Sequence, residues 1–138
     1  MASSFTTSFG IEKIATGEQS GSWGTTTNYN IDILDRIASY KSVALSDAST
    51  ATLTVRAGSP SDGGNNVQDG MYRIIKFTGT LSQNCTITIA PTTTTSYFVF
   101  QNATSGGYSI IMAQGSGAAT VTIPTTKSNM VYCDGSDE

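Results

Sequence analysis

The sequence predicts a mainly β fold: an antiparallel β-sandwich of the jelly-roll type, preceded by an extended N-terminal arm and one short α-helix. Three observations support this. Charged residues make up only 12% of the 138 residues, against about 25% in an average soluble domain. Beyond residue 41, apolar residues alternate with threonine at a period of two. Gly-rich turns interrupt this pattern at short, even intervals, as in sandwiches and barrels.

Residues 1–24 predict an extended arm that anchors the chain to another protein. The apolar residues Phe5, Phe9 and Ile11 are irregularly spaced and fit neither a helix nor a strand. A Gly/Ser-rich stretch at the end of the arm carries the only tryptophan, Trp23. An aromatic side chain in such a loop calls for a covering surface. That surface is either its own subunit or a pocket on a neighbouring protein, where Trp23 would act as an interface hot spot.

A short helix is predicted over residues 25–41. Ile33 and Ile37 lie four residues apart and share an apolar face. Asp32 and Asp35 lie early in the segment, where the helix dipole favours carboxylates. Because a helix of about three turns is marginal in isolation, we expect its apolar face to pack against another surface.

Residues 42–138 predict the β-sandwich domain. In the run Cys85-Thr-Ile-Thr-Ile89 the apolar side chains face one way and the threonines the other. The runs Thr52-Leu-Thr-Val55 and Thr120-Val-Thr-Ile123 repeat this scheme, and Gly- or Asn-containing turns separate most of the predicted strands. The predicted strands are 42–46, 50–56, 71–80, 85–90, 96–102, 108–114, 120–123 and 130–133.

Two of these strands are apolar on both of their faces. Tyr97 and Val99 alternate with Phe98 and Phe100, and the segment around Ile74 behaves in the same way. Such a strand is either central in a layered body or presses its outer face on another subunit. We favour the subunit contact, and we expect the interface between copies to include Ile33, Ile37, Tyr97 and Val99.

The two cysteines, Cys85 and Cys133, share strand parity with inward-facing apolar residues and are expected to be buried free thiols. A disulfide between them is the alternative, should their strands be neighbours. The N-terminus lacks the basic and apolar regions of a secretory signal, so nothing points to an oxidising compartment.

Composition argues against several classes of function. The net charge is −3, and the seven basic residues are scattered, unlike the positive surface of a nucleic-acid binder. No apolar run approaches the ~18–20 residues that span a membrane. Histidine is absent, which removes His-based nucleophile pairs and zinc sites. We expect no catalytic, cofactor-binding or metal-binding residues.

One long connection, residues 57–70, is polar and Gly-rich, and loops of this length are often functional or mobile. Its oxygen-bearing side chains, Asp62, Asn65, Asn66 and Asp69, suggest a calcium site. Their spacing is not that of an EF-hand loop, and solvation of the loop is the preferred interpretation.

The segment around Trp23 resembles a known family. The runs Gly21-Ser-Trp23-Gly24, Thr25-Thr-Thr-Asn28 and Ile33-Leu34-Asp35 are similar to the N-terminal segment of tailed-bacteriophage fibre and appendage proteins. In that family such a segment joins a virion-binding arm to a β-rich shaft or head. Later runs, such as Ile75-Lys-Phe-Thr-Gly-Thr-Leu81 and Val131-Tyr-Cys-Asp-Gly135, look like the β-modules of the same proteins.

The resemblance implies a non-enzymatic structural protein of a virion, assembled in the host cytoplasm and commonly trimeric. Its implied partners are other virion proteins of the tail, adaptor or capsid, and a host-surface receptor or glycan. Phe5, Phe9, Ile11 and Trp23 are the residues expected to face the virion. Fibres are usually longer than this chain, so it is a short appendage, a capsid decoration protein or the N-terminal piece of a longer fibre. A carbohydrate-binding β-sandwich module is a more distant alternative.

Overall fold

A computed structural model describes residues 2–6, 8–56 and 67–136. It confirms a mainly β fold with one helix and two facing four-stranded sheets. All eight strands predicted after residue 41 are present. The elements are β1 (Ser4–Phe5), β2 (Glu12–Lys13), α1 (Trp23–Ile37), β3 (Tyr40–Ala44), β4 (Thr50–Thr54), a short 3-10 helix (Asp69–Met71), β5 (Ile74–Thr78), β6 (Cys85–Ala90), β7 (Thr95–Asn102), β8 (Ile110–Ala113), β9 (Thr120–Ile123) and β10 (Ser128–Asp134).

The expected antiparallel, jelly-roll pairing is wrong. Sheet I has the order β10-β7-β5-β3 and sheet II the order β4-β6-β8-β9. Within them, β3–β5, β5–β7, β4–β6 and β6–β8 pair in parallel, and only the last strands, β9 and β10, pair antiparallel to β8 and β7. From β3 to β8 each strand crosses to the opposite sheet, so the chain winds like a short β-helix. Alternation at a period of two defines the inward face of a strand but not the direction of its neighbour.

The inward side chains of both sheets form one core. Its largest fully buried members include Phe77, Phe98 and Phe100. The rings of Phe98 and Phe100 stack with centroids 5.0 Å apart, and those of Phe77 and Phe100 lie 5.7 Å apart. Aromatic pairs at these distances add to the stabilisation that burial alone provides.

The buried side chain of Asn102, at the end of β7, forms hydrogen bonds with three other parts of the chain. Its amide nitrogen donates to the carbonyl oxygens of Tyr108 (3.1 Å) and Ile123 (2.9 Å). Its oxygen accepts from the backbone (3.1 Å) and the hydroxyl (2.6 Å) of Thr104. All four hydrogen-bonding positions of the amide are therefore satisfied, as a buried polar group requires.

A close backbone contact joins two successive corners of the coil. The Leu81 amide donates to the Ser105 carbonyl, and the Ser105 amide donates to the Gly79 carbonyl, each at 2.9 Å. At Gly106, which has φ +106°, a Cβ atom would lie 1.9 Å from the Leu81 carbonyl oxygen. Gly107 has φ +84°, and a Cβ atom added there would have no neighbour within 4 Å.

The N-terminal segment is not an extended arm. β1 and β2 pair antiparallel as a small hairpin, and α1 runs over Trp23–Ile37 instead of 25–41. The boundary set at residue 24 therefore falls inside the helix. Strands of two residues are too short to give a periodic pattern, so the irregular spacing of apolar residues did not predict the hairpin. Because Gly24 follows Trp23, the helix was predicted to begin after it.

The two cysteines are buried thiols that form no disulfide, as expected. Burial raises the pKa of the Cys85 thiol, because removal from water disfavours the thiolate. The alternative of a disulfide is not realised in this structure.

Replacing Gly106 by Ala should lower the free energy of unfolding by more than about 3 kcal/mol, since a left-handed backbone strain of about 1–2 kcal/mol adds to a backbone collision. Gly107→Ala is the matched control, with the same change of residue and a positive φ but no neighbour to strike. It should cost only the strain. Urea denaturation of both variants measures the difference. Equal losses would show that the Gly106–Leu81 approach is unimportant.

Both thiols should react slowly with a thiol-specific reagent at neutral pH in the folded protein, because only an accessible thiolate attacks. Under denaturing conditions both should react at the rate of a free cysteine. Time-resolved labelling followed by mass spectrometry measures this. Rapid native-state labelling of Cys85 would contradict the burial described above.

Candidate interaction surfaces

Helix α1 buries one side against the subunit and exposes apolar residues on another side. Thr26 and Ile33, at 9% and 1% exposure, face the subunit. Trp23 is 61% exposed, and Ile31 and Leu34 are each 55% exposed. Their separations of eight and three residues place these three side chains along one stripe of the helix, here called the helix face. Exposed apolar groups clustered in this way are typical of interaction sites.

The hairpin holds the first half of this helix in place. The Asn30 side-chain amide donates to the Glu12 carbonyl (2.8 Å) and its oxygen accepts from the Glu12 amide (2.9 Å), which imitates a backbone pair. The Trp23 amide donates to the Gln19 carbonyl at 2.9 Å, and the Gln19 side chain bonds both Glu12 and Thr26. Trp23 therefore starts a helix whose orientation the preceding residues determine.

An ion cluster attaches the other end of the helix to the β-body. The Arg36 guanidinium lies 3.5 Å from the Asp69 carboxylate and donates to the Gln68 carbonyl at 3.0 Å. The Lys41 ammonium reaches the same Asp69 oxygen at 2.6 Å. Arg36 also lies 4.9 Å from the centre of the Tyr72 ring. These contacts give the helix face a defined orientation relative to the sheets.

Sheet I carries a second exposed apolar surface, on the side away from the core. Strand register places one row across all four strands and a shorter row beside it on β10 and β7. Five of the six side chains are between 44% and 73% exposed, and Val99 is half-buried. The rows are Tyr40–Ile74–Val99–Met130 and Tyr97–Tyr132, together called the sheet face.

Polar residues border the sheet face. The next row along the strands is Ser42–Lys76–Gln101–Ser128. At the other end, the Arg73 guanidinium lies 4.1 Å from the Tyr97 ring centre and 5.8 Å from that of Phe9. Stacking on Arg73 holds the Tyr97 ring in one orientation.

The residues predicted to face the virion separate into two groups. Trp23 is exposed, whereas Phe5, Phe9 and Ile11 are half-buried. Phe9 also packs against the hydrophobic core, so it serves the subunit itself. A phenylalanine spacing alone does not distinguish a side chain that packs inward from one that projects towards a partner.

The expected contact between copies is corrected at the helix. Ile33 is buried within its own subunit and is not available to a second copy, and Ile37 is half-buried. Ile31 and Leu34 are exposed in their place. The helix has two apolar stripes, and periodicity does not reveal which of them packs against the domain.

On the sheet, Tyr97 and Val99 lie on the outer face, as predicted, together with residues that the sequence reasoning missed. Met130 and Tyr132 alternate with the buried Val131 and Cys133 in β10. This is the same two-sided apolar pattern that marks β7, and it would have identified them. Tyr40 lay just before the predicted strand and gave no comparable signal.

Two clefts among the described residues show little acid–base chemistry. An open cleft of about 430 Å³ is lined by Thr92, Gln114, Ser116, Gly135 and their neighbours, none of them ionisable. A second cleft holds one carboxylate, Asp69, which already pairs with Arg36 and Lys41. In this same part of the chain there is no cluster of three or more metal-ligating side chains, and no helix is long and apolar enough to cross a membrane.

Two carboxylates, Asp47 and Asp69, are held by neighbouring side chains. At the surface, the backbone amide and the hydroxyl of Ser82 donate to Asp47, each at 2.8 Å, and lower the pKa of its carboxyl. In the long connection, Asp69 is engaged by cations. The other three residues of the suggested calcium set, Asp62, Asn65 and Asn66, lie outside the described residues.

Comparison of this chain with protein-family models, with curated proteins and with solved structures finds no match. Its function is therefore inferred from the helix face and the sheet face.

Removing the Asn30 side chain with Asn30→Ala should loosen the hairpin from α1 by about 1–2 kcal/mol, because it leaves the Glu12 backbone groups without partners. Native-state hydrogen exchange should show the Glu12 amide exchanging faster. Asn28→Ala, at an exposed position of the same helix, is the control and carries the same gain in helix propensity. A Glu12 amide that stays protected in Asn30→Ala would contradict this account of how the helix is held.

Proposed function

We propose that this protein is a non-enzymatic structural component of a phage virion, of the tail-fibre or appendage type. Its N-terminal unit binds another virion protein, and its β-domain serves as a rigid spacer or adhesin. In this proposal it acts as a homotrimer. Several attachment points held on one symmetric body raise the effective concentration of each and make detachment rare.

The observation that carries the proposal is the exposure of Trp23 on an immobilised helix. A tryptophan with 61% of its surface exposed is costly to leave in water and is the residue type most enriched at interface hot spots. Hydrogen bonds at the hairpin and ion pairs at the β-body determine the direction in which it points. Binding through a pre-organised helix loses less conformational entropy than binding through a flexible arm.

The resemblance of the segment around Trp23 to fibre and appendage proteins agrees with this role. In this proposal the attachment element is the hairpin and the helix, with Ile31 and Leu34 further along the same stripe as Trp23. The partner expected for such a stripe is an apolar groove on a neighbouring virion protein, bordered by polar residues.

Trp23→Ala should sharply reduce incorporation of the protein into particles. Loss of a hot-spot side chain costs about 2 kcal/mol or more of binding free energy, which raises the dissociation constant about 30-fold. Particles assembled with the variant in place of the wild-type chain would be purified and quantified by immunoblotting. Point substitution is preferable to deletion of residues 1–24, since deletion would remove the hairpin that supports the helix.

Thr25→Ala is the matched control, since Thr25 is exposed in the same helical turn but lies away from the stripe. It should incorporate normally. Undiminished incorporation of Trp23→Ala would overturn the proposal that this helix face binds the virion. Electron microscopy of particles labelled on the β-domain would separate an appendage on the tail from a decoration protein on the capsid.

A further inference from the structure

We infer that the sheet face is the contact surface for a second copy of this chain. The face lies on sheet I, on the opposite side from the core, and is distinct from the helix face. The trimer of the proposed function is implied only by the resemblance, whereas packing of this face on the same face of a second copy gives a twofold dimer. The contact itself is argued from the surface alone.

The first argument is area. Aromatic side chains present roughly 150–250 Å² each, and five of the six residues of the sheet face are about half exposed or more. Together they leave on the order of 600 Å² of contiguous apolar surface in water, which is at the upper limit for a monomeric soluble protein. A stable interface buries about 800 Å² on each partner. The sheet face therefore provides most of what one side of such an interface needs.

The second argument is charge. Neither apolar row contains a carboxylate, an ammonium or a guanidinium group. Charged residues lie at the border of the face, with Lys76 towards one end of the strands and Asp134 and the Arg73 guanidinium, which stacks on the Tyr97 ring, towards the other. Two copies of this surface can therefore meet without like charges facing each other at the centre. An apolar centre with a polar rim is the usual anatomy of an interface.

The third argument is shape. Side chains on neighbouring strands of one sheet form a nearly continuous layer, and two such layers pack at about 10 Å with interdigitating side chains. The inner face of sheet I already packs in this way within the subunit, through Ile75, Phe77, Phe98 and Phe100. Pairing of the outer face with a second copy repeats the same packing between subunits.

A polysaccharide is the less suitable occupant of this face, although three of its residues are tyrosines. Sugar recognition needs polar groups that orient the hydroxyls. The longer row of the sheet face includes Ile74, Val99 and Met130, which supply none. Met130, the most exposed member at 73%, is a flexible apolar side chain suited to packing against another protein.

The test is the mass of the purified full chain in solution, measured by light scattering and sedimentation equilibrium over a dilution series. The wild-type chain should show a multiple of its 14.4 kDa subunit mass. Met130→Asp should move the protein to the monomer, with at least a 100-fold higher concentration needed for assembly. Tyr40→Asp, on the other edge strand of sheet I, is a second variant that should act in the same way.

Thr122→Asp is the matched control, because it adds the same carboxylate to an exposed outer position of an edge strand in sheet II. It should leave the mass unchanged. Circular dichroism should show that all three variants retain the β fold. A wild-type chain that is monomeric at every concentration, or a Thr122→Asp variant that dissociates as readily as Met130→Asp, would overturn the inference.

Trp23 distinguishes this inference from the proposed function. In the purified wild-type oligomer, its fluorescence should be quenched by acrylamide as readily as in monomeric Met130→Asp, because the helix face is not part of the contact. If assembly instead shields Trp23, copies meet through the helix face and the inference fails. Failure of Trp23→Ala to affect incorporation, with the sheet-face results intact, would overturn the virion attachment alone.

Discussion

The shared core between the two sheets is the constraint on which the other features of this structure depend. Because successive strands from β3 to β8 cross between sheets, each turn of the coil contributes one row of side chains from each side. Phe77, Phe98 and Phe100 fill the centre of this core, and Asn102 and the corner glycines close its turns. In sheets I and II, one face of each strand packs into this core. What the protein presents to other molecules is therefore decided by the outward residues.

The two outward faces differ in chemistry. Sheet II exposes mostly threonines, among them Thr50, Thr52, Thr120 and Thr122, which fit a pleated surface and are well hydrated. Sheet I exposes tyrosine, isoleucine and methionine over half of its outer surface. A strand pattern with threonine outside suits water, and a pattern with large apolar residues outside suits another protein. This asymmetry between the two outer faces is the basis of the inferred contact between copies.

The N-terminal unit adds a third surface with a direction of its own. Asn30 joins the helix to the hairpin, and Arg36, Lys41 and Asp69 join it to the body. Each exposed ion pair contributes little stability. Together with the contact between Arg36 and the Tyr72 ring, the ion pairs set the orientation of the helix relative to the β-sheets. If both proposals hold, the helix face and the sheet face would let one subunit contact a different protein and a neighbouring copy at the same time.

The sequence by itself determined the strands and their inward residues, because alternation at a period of two is a local property that burial enforces. It also predicted that Tyr97 and Val99 lie on an outer strand face, and left open whether Trp23 packs on its own subunit or on a neighbouring protein. Parallel pairing was decided only by the tertiary structure, since the direction of a neighbouring strand depends on where each connection crosses. The choice of Ile33 for the core and of Ile31 and Leu34 for the surface was likewise made by docking: a helix with two apolar stripes buries the one that its hairpin and ion pairs turn inward.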